Sequence, residues 1–119
     1  MARTCAPSAK DSTFRDFVLD QLAGLSGLRC RAMFGGHGIY RGEDFFAIVY
    51  HGRLYFKTDE QSRAAYLERG MPPFRPNPRQ ALKSYYEVPL DVIEDPARLT
   101  DWARAALRVA ARQGSSDGD

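Results

Sequence analysis

The chain has 119 residues, enough for one domain with one core and too few for two. Its 44% hydrophobic and 27% charged residues are an ordinary globular mix, which excludes a low-complexity or intrinsically disordered chain. Lys and Arg number 17 against 15 acidic residues, so the formal charge is +2. That field is too mild to draw the chain by itself onto nucleic acid or an anionic membrane.

Residues 1–11 read as a flexible N-terminal tail. They hold Arg3 and Lys10 but no apolar run, so no secretory signal is visible. The longest apolar stretch, 45–50, is far short of the ~20 residues that a membrane span needs. Two cysteines, Cys5 and Cys30, do not make a disulfide framework. The expectation is a reduced, cytoplasmic protein with Cys30 as an inert buried thiol.

Ser12 or Thr13 can cap a first helix, with Asp16 completing a capping box. Phe14, Phe17, Val18, Leu22 and Leu25 follow at spacings of three and four and form one apolar stripe. The period then drops to two. Residues 28–32 alternate apolar and charged side chains, as a half-exposed strand does. Gly35, Gly36 and Gly38 interrupt the pattern and suggest a bulge or tight bend before the strand resumes at Ile39. Residues 45–50 are apolar throughout, which fits a central strand covered on both faces. His51-Gly52 is a two-residue hairpin loop, and 53–57 is the returning strand.

Thr58 ends that strand and can cap a second helix, with Gln61 as its capping-box partner; Gly70 and Pro72 stop it. Residues 72–78 carry four prolines and read as a stiff connector. A strand over 82–88 ends at Pro89, and 89–94 form a short helical turn. Asp95 caps a last helix with Pro96 at its first position, and its apolar stripe runs from Leu99 to Ala110. Residues 113–119 read as a disordered tail. The expected fold is α+β: a two-layer arrangement in which N-terminal, middle and C-terminal helices pack on an antiparallel sheet of four to six strands. It occupies 12–112 as a single domain.

Candidate functional residues are few. The glycines around His37 could let backbone N–H groups approach a phosphate, but no helix starts after them, so neither a Walker loop nor a dinucleotide fingerprint fits. His37 could serve as a base or ligand, yet no acid or cysteine stands at metal spacing. No nucleophile elbow and no paired carboxylates are visible, so no catalytic set, cofactor or metal is expected. Arg104, Arg108 and Arg112 fall four apart on one helix row, with Asp101 placed to pair Arg98 and Arg104, and read as a solvated face. Tyr85 and Tyr86 point to opposite sides of their strand, so in a two-layer domain one of them is left as a contact residue.

Three segments taken together resemble a known family: Met33-Phe34-Gly35-Gly36-His37-Gly38-Ile39-Tyr40, then Gly52-Arg53-Leu54-Tyr55-Phe56-Lys57-Thr58-Asp59, then Ser84-Tyr85-Tyr86-Glu87-Val88-Pro89. They look like the N-terminal domain of the TfoX/Sxy family, whose members include regulators of natural competence, over about 14–112. The resemblance implies a small α+β domain without catalytic activity, standing alone here without the helical second domain of the better-known regulators. It implies transcriptional control through a protein partner, with the transcription machinery as one such partner, and it leaves homo-oligomers open. The candidate binding positions are Gly35, Gly36, His37, Gly38, Arg41, Lys57, Tyr85 and Tyr86. Two other readings stand beside this one. The first is direct nucleic-acid binding through Arg29, Arg31, Arg41 and Arg53 with a nearby tyrosine. The second is a small anionic ligand held at the glycine bend with Lys57.

Overall fold

The computed structural model describes residues 9–33, 36–77 and 79–113. Along the chain these form α1 (Ala9–Gln21), β1 (Leu28–Met33), β2 (Gly36–Arg41), β3 (Asp44–Tyr50), β4 (Arg53–Lys57), α2 (Glu60–Glu68), β5 (Pro73–Asn77), β6 (Gln80–Glu87), α3 (Leu90–Ile93) and α4 (Pro96–Gln113). The six strands make one antiparallel sheet in the order β1-β2-β3-β4-β6-β5. The fold is α+β, as expected.

The first four strands form a meander whose register follows from local chemistry. His51 and Gly52 both take positive φ, 52° and 74°, which is the backbone that lets a two-residue loop match the twist of β3 and β4. Between Ile39 and Tyr40 the register slips, so Phe46 and Ala47 of β3 both turn to the helix side. The irregularity expected at the glycines therefore lies after them; Gly36 and Gly38 sit in regular ladder positions opposite Met33 and Arg31.

Helices α1 and α4 cover one face of the sheet, over Ile39, Ala47, Val49, Leu54, Phe56, Tyr86 and Val88. On α1 and the turn that follows it the buried stripe is Arg15, Val18, Leu22 and Leu25, while Phe17 is 41% exposed. The spacing of three, four and three is as expected, but its first member is an arginine, whose aliphatic stem can cover apolar surface. Arg15 is ion-paired with Asp16 at 3.1 Å. Helix α1 also begins at Ala9, inside the segment read as tail. At α2 the cap lies one residue later than the sequence suggested. The Asp59 carboxylate accepts from Ser62 N–H at 2.8 Å, and Ser62 Oγ accepts from Asp59 N–H at 3.0 Å. A carboxylate is the better acceptor at a helix start, so Asp59 displaces Thr58 from that role.

Among the described residues no helix covers the opposite face, yet Ile48, Tyr55, Phe74 and Tyr85 form a second buried cluster there. Phe74 of β5 lies 5.2 Å from the Tyr50 ring of β3 and 4.9 Å from the Tyr55 ring of β4, centroid to centroid. In a flat sheet, strands three ladder steps apart are separated by about 14 Å, beyond the reach of two aromatic side chains. The sheet therefore curls, and the β5–β6 hairpin folds back over its own open face. Two register shifts in that hairpin, on either side of Phe74, supply the bend. The proline-rich segment read as a connector is thus an edge strand, a position where missing N–H donors cost little.

Cys30 is half-buried and disulfide-bonded, which corrects the expectation of an inert reduced thiol. It stands on β1, the edge strand of the sheet. The expected cytoplasmic placement therefore loses cysteine chemistry as a support. Cys5, Gly35 and the two expected tails beyond 9 and 113 lie outside the described residues. Among the described residues no helix is long and apolar enough to cross a membrane.

Candidate functional site

The motif residues sit inside the sheet, on both of its faces. Gly36 is buried against β3, and a Cβ there would overlap the Val49 carbonyl oxygen and press on the Tyr50 backbone. The position therefore needs glycine for backbone clearance. His37 shares the helix-covered face with Ile39 and is 1% exposed. Gly38 is buried opposite Ile48.

Lys57, at the end of β4, is 8% exposed. Its ammonium stands 5.4 Å from the centre of the Tyr85 ring, a cation–π distance. Tyr85 Oη in turn reaches the Phe45 carbonyl at 3.5 Å. On the other side of β6, the Arg63 guanidinium lies 5.8 Å from the Tyr86 ring. Tyr86 contacts Tyr66 of α2, which meets Trp102 of α4 edge-on at 4.9 Å. Burial pushes the Tyr66 phenol well above its ordinary value, so it stays neutral. Both tyrosines of the pair are thus core residues, one in each cluster, and neither is the exposed contact that a two-layer domain required. The curl supplies the second interior.

Of the eight candidate positions, the structure brings Lys57 and Tyr85 together and sets Tyr86 behind them. Gly36 and Gly38 stand on β2, two strands from Lys57 on β4. The cleft that Lys57 lines is shared with Gln61, Ser62, Ala65, Tyr66, Asp101, Trp102, Ala105 and Ala106, between α2 and α4.

Arg41 belongs to a different place. Exposed at the end of β2, it lines an open groove of about 510 Å³ with Gly42, Asp44, Arg104, Leu107, Arg108 and Ala111. The arginine row of α4 is split: Arg104 and Arg108 face this groove, while Arg112 pairs with Asp59. Arg98 turns to Asp91 at 3.4 Å, and not to Asp101 as the spacing suggested. Nearby, Arg29 donates from Nη2 to the Gly42 carbonyl at 2.9 Å, and both Arg29 and Arg31 lie 5.9 Å from the Tyr40 ring. Arg53 stands apart from these, paired across strands with Glu87 at 3.1 Å. The meeting of Arg41 with Arg104 and Arg108 was not visible in the sequence. The four-residue spacing on α4 was its only local trace.

No group of three or more His, Cys, Asp or Glu side chains among the described residues could hold a metal ion. What the fold does define is a small α+β domain in which Gly36, His37, Gly38, Lys57, Tyr85 and Tyr86 are buried. Comparison with known families gives that domain its place. The model of the TfoX N-terminal domain matches residues 20–110, most of the chain, and the chain belongs to this family. No curated protein matches it.

Proposed function

We propose that this chain is a non-enzymatic regulatory domain that works by binding another protein, in transcriptional control of the competence type. The observation carrying this reading is the use of the motif residues. Gly36, Lys57, Tyr85 and Tyr86 shape and lock the sheet, and the functional groups left on the surface are arginines around an open groove. Surfaces of that kind suit docking more than bond-making. The test has two arms, crosslinking of the tagged chain in cells and transcript profiling after its deletion. Recovery of a component of the transcription machinery together with a defined set of altered transcripts supports the reading. Unchanged transcripts, or turnover of a small molecule by the purified chain, sink it.

The reading puts the chain in the cytoplasm. A disulfide at Cys30 is uncommon in that reducing compartment, so thiol trapping in intact cells tests the placement separately. A free Cys30 supports it, and an oxidised one argues against it. A second reading, direct nucleic-acid binding, is favoured by one observation: Arg29 and Arg31 flank the Tyr40 ring on the edge of the sheet. A gel shift at low salt that retards no nucleic acid removes it.

A further inference from the structure

The groove between the β2–β3 turn and α4 gathers three guanidinium groups. Arg41, Arg104 and Arg108 line it, while Arg29 and Arg31 lie against Tyr40 on the other face of the sheet. The acids facing this region are Asp44, half-buried in the groove wall, and Glu43, exposed on the turn. Three arginines against these two acids leave the groove positive. Among the described residues, Arg41, Arg104 and Arg108 make no ion pair, unlike Arg53, Arg69, Arg98 and Arg112. Three guanidinium forks therefore remain to bind an anionic partner.

The floor of the groove selects among anions. Leu107 and Ala111 supply aliphatic surface between the arginines, and among the described residues no aromatic ring lines it. Bases bind single-strand grooves largely by stacking on rings, so this lining serves a nucleic acid poorly. It serves a peptide whose carboxylates meet the guanidinium forks in bidentate pairs while an aliphatic side chain sits on Leu107. Resting on the reading of the chain as an interaction domain, we propose that this groove docks an acidic segment of the partner protein that carries at least one aliphatic anchor residue.

Fluorescence anisotropy on the full chain tests this with four labelled probes: a short peptide alternating Glu with Leu, the same peptide with Gln for Glu, the same with Ser for Leu, and a short DNA duplex. The Glu/Leu peptide is expected to bind best, with each altered peptide weaker by about tenfold, the loss typical of removing buried charge pairs or an anchor. The R104Q/R108Q variant should lose about tenfold for the Glu/Leu peptide, with its circular dichroism unchanged. If that variant does not fold, R41Q, at an exposed strand end, carries the test. Equal binding of the Ser peptide, tighter binding of the duplex at the same salt, or undiminished binding by the arginine variants overturns the proposal. Failure here is distinguishable from failure of the interaction reading. Partner capture in cells that survives R41Q/R104Q/R108Q sinks the groove alone, whereas absence of capture by the unaltered chain sinks the reading itself.

Discussion

At the scale of single residues, the shared motif does its work through clearance and contact. Gly36 lies so close to β3 that a methyl group would overlap a backbone carbonyl, which cannot swing away as a side chain can. Gly36→Ala is therefore expected to destabilise the fold by about 1–3 kcal/mol, the range for overpacking, measured as a lower melting temperature or urea midpoint. A variant as stable as the parent would show that β2 and β3 can separate there at no cost. The glycines were legible in the sequence as positions of special backbone need. Which of two needs Gly36 met, ligand approach or strand approach, was not, because the answer lies with Val49 on the next strand. Lys57 illustrates the same limit. Its charge marked it as a candidate anion partner, and the β4–β6 register, which sets Lys57 directly opposite Tyr85, explains why that ammonium lies over the ring.

At the scale of elements, the His51-Gly52 turn and the Asp95 cap were legible, the caps expected for α1 and α2 fell elsewhere, and α2 shows the sensitivity of such ends. Asp59 holds two reciprocal hydrogen bonds with Ser62. Asp59→Ala should cost about 1 kcal/mol, read from chemical denaturation near neutral pH. Acceptance of the Ser62 N–H holds the Asp59 carboxyl below its ordinary value, with further lowering by the neighbouring Arg112. Its folded value thus lies below its unfolded one. The stabilisation is complete above the unfolded value of about 4 and is lost as pH falls through the folded value. The stability gap between the parent and Asp59→Ala should accordingly narrow on acidification, and a gap that widens would contradict the assignment. The exposed ion pair to Arg112 adds little to that gap. The edge strand β5 was the element least legible in advance. Proline content argued for a connector, and the compensating fact, that one side of β5 has no ladder neighbour, belongs to the sheet order and not to the local sequence.

At the scale of the whole molecule, the helix-covered core was readable from periodicity, since the stripe on α4 and most of that on α1 fall where spacing put them. The second cluster was not, because an antiparallel sheet with helices on one side gives no local sign that it will curl. Phe74 is the residue on which that curl closes, fully buried among Tyr50 and Tyr55. Phe74→Ala should cost about 3–5 kcal/mol, the usual range for emptying a buried aromatic site, and calorimetry would show it as a large drop in melting temperature. A loss under about 1 kcal/mol would mean that the hairpin closes without it.

Strand β6 has a consequence of its own. Tyr86 belongs to one hydrophobic cluster and Tyr85 to the other, so adjacent residues of a single strand are shared between both interiors. Neither interior can melt while its neighbour stays intact, and the domain should lose its structure in one cooperative transition, with calorimetric and van't Hoff enthalpies in agreement. In hydrogen–deuterium exchange, the Tyr85 and Tyr86 amides should open only through that global event, placing the slowest-exchanging part of the chain at the start of its last third.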